Sequence, residues 1–74
     1  MDPYEDLANA IVLKAVSDYR SAIKRMRTHP EEATSHRRRK KEVERFIRSD
    51  WFGVLTNLDP AILLERLKQE ARHD

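Results

Sequence analysis

The chain has 74 residues, 15 Lys+Arg against 13 Asp+Glu for a formal net charge of +2, and no cysteine. That length allows one small domain over 1–74, and the missing thiols exclude a disulfide framework and thiolate metal sites. No apolar run approaches the roughly 20 residues that span a bilayer, and an acidic start with Asp2, Glu5 and Asp6 is the wrong chemistry for a secretory signal. The expected compartment is therefore the cytoplasm, with no membrane partner.

Apolar residues make up 39% and charged residues 38%, a balance that suits a helical domain better than a disordered chain. One glycine and three prolines leave few sites for tight β-turns, and no long stretch alternates at period 2. The expectation is an all-α fold. A single core of this size supplies only a few kcal/mol of net stability, so the helices must pack well or find a partner chain.

Asp2-Pro3 starts the first helix, with Asp as N-cap and Pro at the first helical position. From Tyr4, Leu7, Ala8, Ile11 and Val12 through Ala15, Val16, Tyr19, Ala22, Ile23 and Met26, apolar residues recur every three or four positions. The helix is expected from about Pro3 to about Arg27. Its stripe is longer than the short partner helices need, so a homodimer through this helix is one alternative.

Thr28-His29-Pro30-Glu31 makes the connection. Thr28 and Glu31 have capping-box spacing, and Pro30 fits only the first turn of a new helix. A second helix is expected from near Pro30 to about Arg48, antiparallel to the first. Its second half buries Val43, Phe46 and Ile47. The same face traced backwards meets Lys40, Arg39 and His36 before Ala33, so the first half has almost nothing apolar to bury.

Ser49-Asp50 is expected to cap a short helix from Trp51 to about Thr56, with Trp51 and Phe52 in the core and Gly53 either closely packed or merely tolerated. Asp59-Pro60 repeats the Asp-Pro start for a last helix to about Ala71, with Ile62, Leu63 and Leu67 inward and Leu64 less clearly so. The architecture read from the chain is thus a long helical hairpin packed on a short helix and a C-terminal helix, a small bundle.

The sharpest functional candidate is the hairpin tip, about 24–41. Lys24, Arg25 and Arg27 on the first helix face Arg37, Arg38, Arg39, Lys40 and Lys41 on the second. With two Glu in the interval the local net charge is +6, which leaves −4 for the remainder. Such cations pair with phosphate oxygens and bind by counterion release. The bland alternative is a solvated helix face. Against it, the run is continuous around the helix and adjoins three cations across the hairpin. No Asn or Gln sits in the run to read adenine, so sequence-specific DNA recognition is weakly supported. An acidic protein surface would satisfy the same patch.

Catalytic signatures are missing. There is no Gly-rich phosphate loop and no nucleophile elbow. His29, His36 and His73 are too dispersed for a helical zinc pair and read as unpaired surface histidines. Arg38 to Glu42 and Glu44 to Arg48 read as ordinary i, i+4 pairs. No enzyme, metal or cofactor is expected.

Two resemblances can be placed on residues. Ala15-x-x-x-Tyr19-x-x-Ala22-Ile23 followed by Pro30-Glu31-Glu32-Ala33 looks like the second helix and turn of a tetratricopeptide unit; no second 34-residue period follows, which leaves general hairpin chemistry. The run from Glu42 through Arg48-Ser49-Asp50-Trp51-Phe52-Gly53 to Asp59, with Tyr19-Arg20-x-Ala22 before it, resembles small uncharacterised proteins carried by prophages and mobile elements of Gram-positive gut bacteria. That resemblance implies a mobile-element setting and no catalytic residue. Proteins of that kind often bind nucleic acid or inhibit a host protein such as a CRISPR effector. The leading expectation is a non-enzymatic module that binds nucleic acid, or a nucleic-acid-handling protein, through the basic tip. The alternatives are a phage-type inhibitor of a host defence enzyme and a dimeric structural or assembly protein.

Overall fold

A computed structural model describes residues 2–73, with side chains through residue 71. In chain order they form α1 (Pro3–Thr28), a 3-10 turn (Pro30–Glu32), α2 (Ala33–Ile47), α3 (Asp50–Leu55) and α4 (Pro60–His73). No strand occurs among the described residues, and no helix there is long and apolar enough to cross a membrane.

The two Asp-Pro pairs start helices as their chemistry dictates. Asp2 Oδ1 accepts the Tyr4 amide at 2.9 Å. Asp59 Oδ1 accepts the amides of Ala61 at 2.9 Å and Ile62 at 3.3 Å. Each satisfies donors that the first helical turn leaves without partners.

The two Ser/Thr caps do not form. Thr28 closes α1 instead of opening the next helix: its hydroxyl donates back to the Lys24 carbonyl at 3.1 Å, the i−4 bond open to any helical Ser or Thr. The chain then passes through one 3-10 turn before α2 begins, rather than starting one helix at Pro30. Ser49 stands at the N-cap of α3, but its hydroxyl donates to the Phe46 carbonyl at 2.6 Å.

α1 and α2 lie as an antiparallel pair; α3 packs at its open end, and α4 runs from there along both helices, so that Glu70 reaches Arg20 and Lys68 reaches Glu44. The molecule measures 43 × 21 × 20 Å, its long axis set by α1 at roughly 1.5 Å per residue. On α1 the buried positions are Ala8, Val12, Ala15, Tyr19 and Ala22, a narrow stripe whose alanines let neighbouring backbones come close. The core joins Val12, Ala15 and Tyr19 to Val43 and Ile47 of α2, Phe52 of α3, and Leu64 and Leu67 of α4. Phe46 meets Phe52 edge to face, with ring centroids 6.2 Å apart. Arg20 of α1 and Glu70 of α4 form a two-bond fork, both bonds 2.9 Å. The hydrogen bond from Arg20 holds the Glu70 carboxyl below its ordinary pKa.

Two inward assignments, Ile62 and Trp51, are corrected, and the surplus expected of the α1 stripe is exposed. On α4 the buried residues are Leu64 and Leu67, with Leu63 half-buried, while Ile62 is exposed. Ile62 lies about 100° from Leu63 around the helix, on the solvent side. Trp51 is 68% exposed although its neighbour Phe52 is buried, because a helix this short turns only one face inward. On α1, Tyr4, Leu7 and Ile11 are also exposed: α2 runs out before it reaches that end of the long helix. Gly53 has open space where a Cβ would sit, so no close packing requires it.

Tyr19 is wholly buried, yet its hydroxyl has no hydrogen-bond partner. Burial first, then the charge of Glu44, push the phenol pKa above its ordinary value, with Arg48 opposing. A buried hydroxyl without a partner costs about 1–3 kcal/mol in desolvation. Tyr19→Phe keeps the ring and removes that cost, so thermal denaturation should show a raised melting temperature. A gain of about 1 kcal/mol corresponds to roughly 4–8 °C for a domain of this size. A lowered melting temperature would show that the hydroxyl has a partner.

Candidate functional site

The hairpin tip builds its charge from two helices that have little else in common. α2 holds its first half with good helix formers, Arg and Lys, and with local ion pairs. Lys40 lies 3.6 Å from Glu44, and Lys68 of α4 reaches the other oxygen of Glu44 at 3.9 Å. The Arg38–Glu42 and Glu44–Arg48 pairs expected from spacing do not form; Glu44 turns to Lys40 and Lys68 instead.

The eight expected cations do not make one patch. They divide around the hairpin into an outer stripe and two flanking grooves. Arg37, Arg38 and Lys41 line the solvent face of α2 together with Thr34, Glu42 and Arg45. Arg25 and Arg39 meet across a groove between α1 and α2 that also holds Asp18, Ser35 and His36. Arg27 and Lys40 line the opposite groove with Tyr19, Ile23, Met26 and Lys68. Lys24 is exposed on α1 and joins none of these sets. Two contributors escape the sequence reading. Arg45 follows Lys41 by one helical turn and could have been found from that spacing. Lys68 comes from α4, and no local pattern points to it.

The outer stripe sets four cations against one carboxylate, Glu42. Among the described residues none of Arg37, Arg38, Lys41 and Arg45 has a carboxylate within 4.0 Å, whereas Lys14, Arg20, Lys40 and Lys68 do. Arg37 to Lys41 and Lys41 to Arg45 are like-charge pairs at i, i+4, and Arg38 to Lys41 is one at i, i+3. Each such pair destabilises an isolated helix by about 0.2–0.5 kcal/mol. The local sequence thus works against its own helix in order to concentrate charge, and a bound polyanion would remove that repulsion.

The histidines differ from one another. His29 is exposed, its Nδ1 2.9 Å from the Thr28 hydroxyl. His36 is not a free surface group: its side chain is largely covered, and Nε2 lies 3.5 Å from Glu32 Oε2, an ion pair when the ring is protonated. The side chain of His73 lies outside the described residues. No cluster of three or more His, Asp or Glu placed to hold a metal ion occurs among the described residues. Compared with protein-family models, curated proteins and solved structures, the chain finds no match in any of the three.

Proposed function

We propose that this chain is a non-enzymatic interaction module that binds a polyanion, nucleic acid first, through the basic hairpin tip, in the mobile-element setting that its resemblance implies. The observation that supports this is the outer stripe of α2. Arg37, Arg38, Lys41 and Arg45 stand on one solvent-facing row without carboxylate partners. The row runs over two helical turns, roughly 12 Å from Arg37 to Arg45 at 1.5 Å per residue, long enough to meet several phosphates along one strand. Arg25 with Arg39, and Arg27 with Lys40, extend the positive field to both sides of the hairpin. Contacts of this type fix a backbone in place and carry little base information, so binding should tolerate many sequences.

A fluorescence-anisotropy titration with labelled single-stranded and duplex DNA, at low and at moderate salt, tests the reading. Binding should weaken steeply as salt rises, with a log–log slope of about −0.9 per duplex phosphate contacted and about −0.7 per single-strand phosphate. No binding to either probe at low salt would reject nucleic acid as the partner and leave an acidic protein surface as the polyanion.

A further inference from the structure

The end of the molecule opposite the basic tip has the reverse character. Residues 2–13 and 49–64 contain five carboxylates, Asp2, Glu5, Asp6, Asp50 and Asp59, and no Lys, Arg or His. Every exposed large apolar side chain among the described residues belongs to these same two segments. Tyr4, Val54 and Leu58 line one solvent-open groove of about 580 Å³ between the start of α1 and the α3–α4 connection, with Asp2 and Glu5 in its wall. Leu7 and Ile11 continue from Tyr4 along α1 by one and two turns, and Trp51 precedes Val54 on α3 by one turn. Leu7 is 61% exposed and Trp51 68%. A groove lined by the exposed Tyr4, Val54 and Leu58, with further exposed apolar residues one turn away on both helices, has the composition of a protein interface rather than of ordinary surface.

We propose that this pole is a docking surface for a cationic amphipathic helix of a second protein. Three observations select that occupant. First, the groove wall carries Asp2 and Glu5 and no Lys, Arg or His, so a complementary partner carries Lys or Arg beside its apolar side chains. Second, Tyr4, Leu7 and Ile11 follow one another along α1 at i, i+3 and i+7, so a partner helix laid along α1 meets one of them at each turn, as in helix-in-groove recognition. Third, a second copy of this chain fits poorly. An isologous dimer through the groove would set Asp2 and Glu5 against the same acids of the other copy, and the basic tip of another copy offers no exposed large apolar side chain to fill the groove.

Trp51 is the only tryptophan of the chain, so its emission reports on the patch directly. The probe is a synthetic helix of about five turns, roughly 18 residues, with leucines on one face and lysines elsewhere. Titrating it into the full chain should give a saturable blue shift of Trp51. A lysine–leucine peptide of equal composition with the leucine stripe scrambled, and a striped glutamate–leucine peptide, should each bind about tenfold more weakly or worse. Replacing Leu7→Gln together with Leu58→Gln should cost a similar factor, with Val54→Gln as an independent single change; all three side chains are exposed, and circular dichroism checks the fold. Arg37→Ala, Arg38→Ala and Lys41→Ala together should leave peptide binding unchanged, which separates this surface from the tip. Equal binding of the scrambled peptide, no shift with the striped one, or insensitivity to the Gln variants would overturn the proposal. So would a blue shift of Trp51 that grows with protein concentration before peptide is added, since a second copy would then be the occupant.

Discussion

Phe52→Ala is expected to abolish cooperative folding, while Trp51→Ala, one residue away, is expected to change stability by less than about 0.5 kcal/mol. Phe52 is one of the three largest fully buried side chains and is the only residue of α3 that reaches the central cluster fully buried. It holds α3 against α1, and its ring meets Phe46 edge to face. Phe→Ala in a core costs about 3–5 kcal/mol, through the transfer energy of the ring and the cavity left behind. A disulfide-free domain of this length has a total stability of about the same size. Thermal melts followed by circular dichroism should therefore show a sharp transition for the parent and Trp51→Ala, and a shallow one or none for Phe52→Ala. A cooperative melt of Phe52→Ala within a few degrees of the parent would mean that α3 is not part of the core.

The contrast between these two aromatics marks where the chain could be read and where it could not. Helix starts at Asp2-Pro3 and Asp59-Pro60 are legible because the cap is local: the carboxylate reaches the amide two residues on, whatever else the fold does. The Thr28–Glu31 box fails because the same hydroxyl has an equally local alternative, the carbonyl of Lys24, and spacing does not say on which side of the boundary Thr28 falls. Trp51 and Ile62 read as inward because large apolar residues usually are. With eight residues forming the central cluster, the bundle has no volume for them. Leu64 is recoverable: Pro60, Leu63, Leu64, Leu67 and Ala71 follow one helical face, none of them fully exposed, whereas the series through Ile62 does not continue to Ala71.

The charge asymmetry, by contrast, is visible from counting alone. Counting does not show that the cations sort into an outer stripe and two grooves, because that depends on how α2 is rotated against α1. Val43 and Ile47 fix that rotation by entering the core. They turn Arg37, Arg38, Lys41 and Arg45 outward and leave His36 and Lys40 partly covered where the two helices meet. The arrangement of the candidate site thus follows from two apolar residues that take no part in it.

Arg37→Ala, Arg38→Ala and Lys41→Ala together are expected to weaken duplex DNA binding by roughly 1–3 kcal/mol, about 5- to 150-fold. If each side chain meets one phosphate, the salt slope should become shallower by about 0.9 for every phosphate that is no longer neutralised. The same variant should be no less stable than the parent. Alanine is the best helix former, and the change removes the like-charge pairs Arg37–Lys41, Lys41–Arg45 and Arg38–Lys41, each worth about 0.2–0.5 kcal/mol against the helix. Affinity falling while melting temperature holds or rises cannot come from damage to the fold, which would lower both. Arg25→Ala with Arg39→Ala tests the alternative geometry. Those two cations share a groove with Asp18, which already offsets part of their field, so removing them should cost less affinity than removing the outer stripe. If the groove pair instead proves the more costly, the nucleic acid lies across the junction of α1 and α2 rather than along α2. If neither variant changes affinity or slope, the basic run is a solvated helix face and the polyanion reading of the tip is wrong.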